Sequence, residues 1–342
     1  MQRPARPTIK DVAQAAGVSP TTVSHALNGK GVVRRETEER IREVADRIGY
    51  RPSAMARGLR NRRMGLIALA IRPLDALGSF LPPGVDYFLR VAGFASLTAM
   101  EYGYSLMIVG DPSRSDSPVS ALAADAYVVV EPYEDDTVLT YLARERIPVV
   151  AVGADPARRD EFVTMNSLAD ELTGRMIEHL IESGGTRIGL VTGTDQNAWN
   201  LDSHTAYLEW CERAGQDPLC IAIPEAEGEQ AGEIAIEHFF GAGSPDPPDA
   251  IYCLMGRQAS GLARAAIARG IAVPGDLLIA AGSGSLQNQT LRPTVTAFDP
   301  QPEGIAQRAV EAAVRLIEGN PVETPFRAPD AVLHVRESTT RG

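Results

Sequence analysis

Apolar residues recur along the chain with two different periods, and the change of period divides it. Between residues 8 and 16, Ile9, Val12, Ala13 and Ala16 form one helical stripe, Thr8 stands where a cap belongs, and Asp11 follows three residues later. Gly17 ends that segment. Ser19 then stands as a cap for a second helix to about Leu27, with Pro20 at its first position, where a missing N–H costs nothing. Val23 and Leu27 face inward, which leaves Thr21, Thr22, Ser24, His25 and Asn28 on the polar side. A third stripe, Ile41, Val44, Ala45 and Ile48, predicts a helix over 37–48. Two short helices joined by a tight glycine turn and backed by a third form a helix-turn-helix unit. On periodicity alone an ordinary three-helix module fits equally well.

Beyond residue 63 the pattern becomes apolar runs alternating with amphipathic stretches. Strands are predicted at 66–71, 105–109, 127–130, 149–152, 188–192, 250–254, 277–281 and 295–298. Helices fall between them at 87–102, 138–144, 168–183, 203–214, 231–240, 260–269 and 303–318. Such alternation requires parallel sheets with helices on both faces, and about 280 residues is long for one core. The expected fold class is α/β: a small all-α head followed by a two-lobed parallel-sheet domain. The predicted divisions are a head at 1–52, a linker at 53–63, a first lobe at 64–165 plus about 294–322, and a second lobe at 166–293 plus about 323–342. A ligand would lie between the lobes, beyond the carboxyl ends of the strands.

Charge sharpens the division. The chain carries a net −11, yet residues 1–63 hold 14 Lys and Arg against 6 acids, a local +8, so the remainder stands at −19. A cationic head on an anionic body suits a polyanion at the head alone. No apolar run approaches the length a bilayer requires and the N-terminal residues lack an apolar signal core, so a soluble, cytoplasmic protein associated with the nucleoid is expected, with no membrane partner. Cys211, Cys220 and Cys253 show no CxxC spacing, and the five histidines are scattered. No metal, cofactor or disulfide framework is expected.

The string TIKDVAQAAGVSPTTVSHALNGKGVVRRETEERIREVADRIGYRPSAMARGL, residues 8–59, is more specific than its periodicity. It resembles the head of the lactose- and galactose-repressor family in its DVAxxAGVSxxTVSxxLN stretch (Asp11 to Asn28), its Tyr50-Arg51-Pro52 step and the AxxL formed by Ala56 and Leu59. That resemblance implies a second helix lying in the major groove of double-stranded operator DNA, with Pro20, Thr21 and His25 choosing the bases. His25 is the best base reader, and Pro20 offers only apolar contact. Ser19, Thr22, Ser24, Asn28, Thr37 and Tyr50 match positions that mainly hold phosphates and set register, and Thr8 joins them as a phosphate contact. Arg34 departs from the family pattern, which has a small capping residue there; a charge-assisted phosphate contact is expected in its place. Residues 53–60, including Ser53, resemble the family's hinge helix, which folds on DNA as a dimer and inserts Leu59 as a minor-groove wedge.

The body resembles, more weakly, the family's sensor domain, itself similar to periplasmic sugar-binding proteins. The resemblance implies a homodimer, or a tetramer, and a small-molecule effector. The polar trio that grips the effector in many members falls here on Ser203, Gly256 and Gly284, none of them ionic. Three readings stay open: a register shifted by one, which brings Asp202 or Arg257 into play; a less polar effector; or a sensor without one. Asn166, Ser283 and Ser285 are further polar candidates, with Trp199 and Phe80 as aromatic surfaces for stacking on a ring. Enzymatic signatures are missing: GSGS at 282–285 is not GxSxG, and 189–197 lacks the lysine of a phosphate-binding loop, so no catalytic residue is assigned. A DNA-binding regulator, in the form of a repressor, is the expected function. A sugar-type binding protein without a DNA role, secreted or not, and a repressor without an effector are the alternatives.

Overall fold

The computed structural model describes residues 7–28, 33–50, 63–72, 86–118, 120–242 and 246–341, and the chain divides into two compact units, 1–64 and 65–342. The expectations at Ser53, Ala56, Leu59 and Phe80 lie outside the described residues, as does the side chain of Asn28.

The first unit holds α1 (Ile9–Ala16), α2 (Pro20–Asn28) and α3 (Arg35–Ile48). The Thr8 N–H and hydroxyl both donate to Asp11, at 2.6 and 2.8 Å, which closes the start of α1. Gly17 ends the helix in the left-handed region at φ 66°, and the next N–H, from Val18, returns to the Ala13 carbonyl at 3.0 Å. Val12, Val23, Ala26, Ile41, Val44 and Ala45 are buried together, so each helix gives one stripe to a single small core. α3 begins at Arg35 rather than Thr37; Arg34 takes the cap position without a side-chain bond. A core this small has little reserve. Ile41→Ala, at the centre of the cluster, is expected to cost about 2–5 kcal/mol and to melt the head. Circular dichroism and limited proteolysis, with the second unit remaining resistant, check this.

The second unit contains two six-stranded sheets. The first lobe has β1 (Leu66–Ile71), α4 (Asp86–Glu101), β2 (Ser105–Val109), β3 (Ala126–Val130), α5 (Thr137–Arg144), β4 (Val149–Val152) and β5 (Val163–Asn166). The second has α6 (Ala169–Glu182), β6 (Ile188–Thr192), α7 (Ala198–Ala214), β7 (Cys220–Ala222), α8 (Ala231–Phe240), β8 (Ala250–Cys253), α9 (Gly256–Ala268), β9 (Leu278–Ala281), α10 (Leu286–Thr290) and β10 (Thr296–Asp299). The chain then recrosses: α11 (Pro302–Glu318) packs on α4, β3 and β4, β11 (Phe326–Arg327) joins the first sheet, and β12 (Val332–His334) joins the second. The strand orders are β11-β5-β4-β3-β1-β2 and β12-β10-β9-β8-β6-β7. All pairs are parallel except β12 with β10.

Strand alternation assigns the faces. In β1, Ile67, Leu69 and Ile71 point into a core that continues across both lobes, while Ala68 and Ala70 point to a layer closed by Leu139 and Leu142 of α5. The expected return to the first lobe at about 294 is too early, because Thr296 and Ala297 pair with Ala280 and Ala281 of β9. Residues 323–328, expected in the second lobe, belong to the first, because Phe326 pairs with Met165. Among the described residues, no helix is long and apolar enough to cross a membrane.

Candidate functional site

On the head, the Ser19 hydroxyl accepts the Thr22 N–H at 3.0 Å and meets the Thr22 hydroxyl at 2.8 Å, which anchors the first turn of α2. That leaves Pro20, Thr21 and His25 exposed on the helix face away from Val23 and Ala26, with Thr22 and Ser24 half-buried beside them. Thr37 and Tyr50 are half-buried, and Tyr50 packs on the head core. Thr8 is exposed with its hydroxyl engaged by Asp11, whose carboxyl those bonds hold below the usual carboxylate range. The face is built to present short polar side chains and one imidazole, the groups that hydrogen-bond phosphates and base edges.

In the second unit, the carboxyl ends of the strands of both sheets surround a cavity of about 170 Å³. Val152, Met165 and Leu254 form much of its floor; Tyr87 and Phe88, edge to face at 5.1 Å, and Trp199 line it as aromatic surfaces. Of the residues expected around a ligand, Trp199, Arg257, Ser283 and Ser285 line the cavity. The Ser285 hydroxyl is taken up at the start of α10, accepting the Asn288 N–H and donating to its Oδ1 at 3.0 Å. Asn166 does not line the cavity: its side chain accepts the Leu168 N–H at 2.8 Å. Asp202 is bound by Arg159 from the opposite lobe at the rim. Ser203 is fully buried on the inner face of α7, with its hydroxyl 3.5 Å from the Ala169 carbonyl of α6. A register shifted by one therefore places Arg257 at the cavity but not Asp202. Gly256 has no room for a side chain, since a Cβ there would meet Asn288 Oδ1 and the Ser283 carbonyl, both at 2.4 Å.

Several lining groups carry no obvious sequence signal. Glu131 follows β3 at φ 52°, a left-handed conformation unusual for a residue with a side chain, and its N–H donates to the Val152 carbonyl at 2.8 Å. It is 8% exposed, and its Oε2 has no hydrogen-bond partner among the described residues. Burial, reinforced by Asp195 and Asp202, pushes its carboxyl up to about 8. Asp195, after β6, rises to about 6 through burial and the nearby Glu225, an effect opposed by the Tyr133 hydroxyl donating from 3.4 Å. Glu225 itself is saturated: it accepts the Thr194 N–H and hydroxyl, the Asp195 N–H at 3.0 Å and Asn200 Nδ2 at 2.8 Å. The Arg257 guanidinium lies against Gly228, where any Cβ would collide with it, and its buried Nε has no partner among the described residues. Burial lowers its affinity for a proton. Besides Arg159 with Asp202, Tyr133 joins the lobes through its bond to Asp195, and the Glu134 N–H donates to the Gln196 carbonyl at 2.7 Å.

Comparison with known proteins finds matches for both parts of the chain. Residues 8–53 match the family described as bacterial regulatory proteins, lacI family, and residues 177–339 match the periplasmic binding protein-like domain. The chain belongs to the lacI family. Its lacI-family head and two-lobed sensor make it a DNA-binding transcriptional regulator. Catabolite control protein A of Staphylococcus epidermidis is 24% identical over 326 residues, 93% of this chain and 94% of that protein. The probable HTH-type transcriptional repressor ExuR of Bacillus subtilis is 24% identical over 344 residues, 98% of each chain. Among solved structures, the lac repressor dimer bound to operator and the anti-inducer ONPF superimposes with a TM-score of 0.78 at 19% identity, covering 98% of this chain and 100% of that one. The complex of the regulator CelR with cellobiose gives 0.64 at 22% identity, covering 97% and 100%. Within this lacI-family frame, the cavity's ionic groups are Glu131, Asp195, Glu225 and Arg257, and none of them falls on Ser203, Gly256 or Gly284.

Proposed function

We propose that this lacI-family protein is a cytoplasmic repressor that binds a palindromic operator as a homodimer, reads bases with Pro20, Thr21 and His25, and is modulated by a small molecule in the inter-lobe cavity. It is a binding protein and performs no catalysis. The observation that carries the DNA reading is the face of α2, whose exposed Pro20, Thr21 and His25 stand on a head of local charge +8. Ser19, Thr22, Ser24, Arg34, Thr37 and Tyr50 serve as its phosphate contacts, with Leu59 as the wedge at the operator centre.

The homodimer rests on the outer face of α4. Leu89, Phe94, Leu97 and Met100 are exposed there at helical spacing, beside Ile108 on the edge strand β2 and Leu286 on α10, with Met100 at 68% and Leu286 at 59% exposure. A contiguous apolar face of this kind on a soluble domain marks an interface. It spans both lobes, so a ligand that moves one lobe against the other would shift the two subunits and the heads they carry.

Operator fragments selected from the host genome provide the test. His25→Ala is expected to weaken binding by about 1–3 kcal/mol and to relax preference at one base pair in each half-site. Affinity of the parent is expected to fall steeply and log-linearly with added salt as counterions are released. Unchanged sequence preference in His25→Ala together with a flat salt response would remove the DNA reading.

A further inference from the structure

Two groups of opposite sign that line the cavity each carry a buried polar atom without a partner among the described residues. Glu131, on the first lobe, is more than nine-tenths buried, and its Oε2 accepts no hydrogen bond among the described residues. Arg257, on the second lobe, has a buried Nε in the same condition. They do not compensate each other. The charges acting on Glu131 are those of Asp195 and Asp202, both of its own sign, and Arg257 is perturbed by burial alone. Ionising a buried carboxyl or leaving a guanidinium without a counterion in such a site is costly, so a guest that supplies a cation to the one and an anion to the other is favoured.

Three of the neighbouring polar side chains are not free for a polyol. Glu225 accepts four protein donors. Asn200 is bound at both ends of its amide, by the Gly193 N–H and by Glu225 and the Asp195 carbonyl. Ser285 is held by Asn288. A sugar needs many uncommitted donors and acceptors around its ring, and these three side chains are already engaged. Gln258 Oε1, which also lines the cavity, is a neutral acceptor without a partner among the described residues, but the ionisable groups left unmatched are Glu131 and Arg257, and the walls between them are apolar and aromatic: Val152, Met165, Leu254, Phe88 and Trp199. Arg257 also sits in the first turn of the 13-residue α9, whose N-terminal N–H groups favour an anion beside it.

We propose that the effector is a small zwitterion with an apolar body, of the α-amino acid kind, whose ammonium meets Glu131 and Asp195 and whose carboxylate meets Arg257 and the start of α9. This rests on the reading of the cavity as the effector site. Asp195 lines the same cavity and adds negative potential at the ammonium end.

The test is calorimetric titration of the full-length protein with apolar L-α-amino acids from valine to tryptophan. Each is compared with the amine that lacks its carboxylate, the acid that lacks its ammonium, and the neutral sugars glucose and ribose. At least one amino acid is expected to bind, and removal of either charge to weaken it by about tenfold or more. Glu131→Gln should weaken the amino acid while leaving the deaminated acid unaffected, and Arg257→Gln should do the mirror image with the amine. Melting curves confirm that each variant is folded, and the analogue series on the parent protein needs no variant at all. Binding by a sugar and by no amino acid overturns the ligand class and leaves the effector reading standing. Binding by nothing in the panel overturns the class as well. A metabolite extract that still shifts the melting temperature would then keep the effector reading, and one that does not removes it too.

Discussion

Leu97→Asp is expected to convert the protein to monomers and to lower operator affinity by about two to four orders of magnitude. Leu97 is 56% exposed on α4, and it stands outside the buried core, so the substitution leaves the fold intact. Its neighbours Leu89, Phe94 and Met100 are apolar and exposed on the same helix. In a homodimer related by a two-fold axis, each such position occurs twice across the interface, so one substitution buries two carboxylates in an apolar contact. The cost of desolvating an unmatched charge is several kcal/mol, applied twice, which exceeds what an interface of ordinary size can lose. The loss in DNA binding follows from geometry rather than from the head. Two linked heads bind two half-sites with a high effective concentration for the second, and separate heads lose that factor of about 10²–10⁴. Light scattering gives the mass, and titration of a labelled operator gives the affinity. A variant that stays dimeric, or a monomer that binds operator as tightly as the parent, would contradict the assignment of this face.

How much of this was legible in the sequence depends on how local each feature is. The head was readable almost residue by residue, because caps, glycine stops and stripes act within four residues: Thr8 with Asp11, Gly17, Ser19 with Thr22. Long buried strands such as β1 and β3 announced themselves as apolar runs. β5, β7, β11 and β12 did not, since two to four residues carry no period and their pairing is set by distant partners, as when Phe326 finds Met165. The start of α7 at Ala198 was missed because its first turn has no apolar stripe; it is fixed by Asn197, whose side chain accepts the Asn200 N–H at 3.0 Å. The cavity was the least legible part. Its polar groups stand at the ends of separate strands, so Glu131 reads in the sequence as an ordinary acid after an apolar run. Ser203 and Asp202 lie close in sequence to lining residues yet face the interior of the lobe and its rim. Only the packing distinguishes them.

Replacing Glu131 should make the unliganded protein more stable, and increasingly so as the pH rises. The folded carboxyl titrates at about 8, whereas the free side chain titrates near 4.5. Below about pH 4.5 both folded and unfolded chains hold the proton, and the residue has no effect on the balance. Between 4.5 and 8 the unfolded chain releases the proton and the folded chain keeps it, so stability falls as the pH rises through that window, at up to ~1.4 kcal/mol per pH unit. Above 8 the fold carries a buried, unmatched charge and the loss levels off. Glu131→Gln removes this titration, although a shallower slope from Asp195, raised to about 6, persists at the acid end. Calorimetric melting of the two proteins should therefore coincide near pH 4.5 and separate by roughly 5 °C or more near pH 8, with the variant higher. Parallel curves across that range would mean that water or protein groups satisfy the carboxylate in solution. The same stored cost is what a cationic group in the cavity would relieve, so a side chain that weakens the empty protein is the one that would reward its ligand.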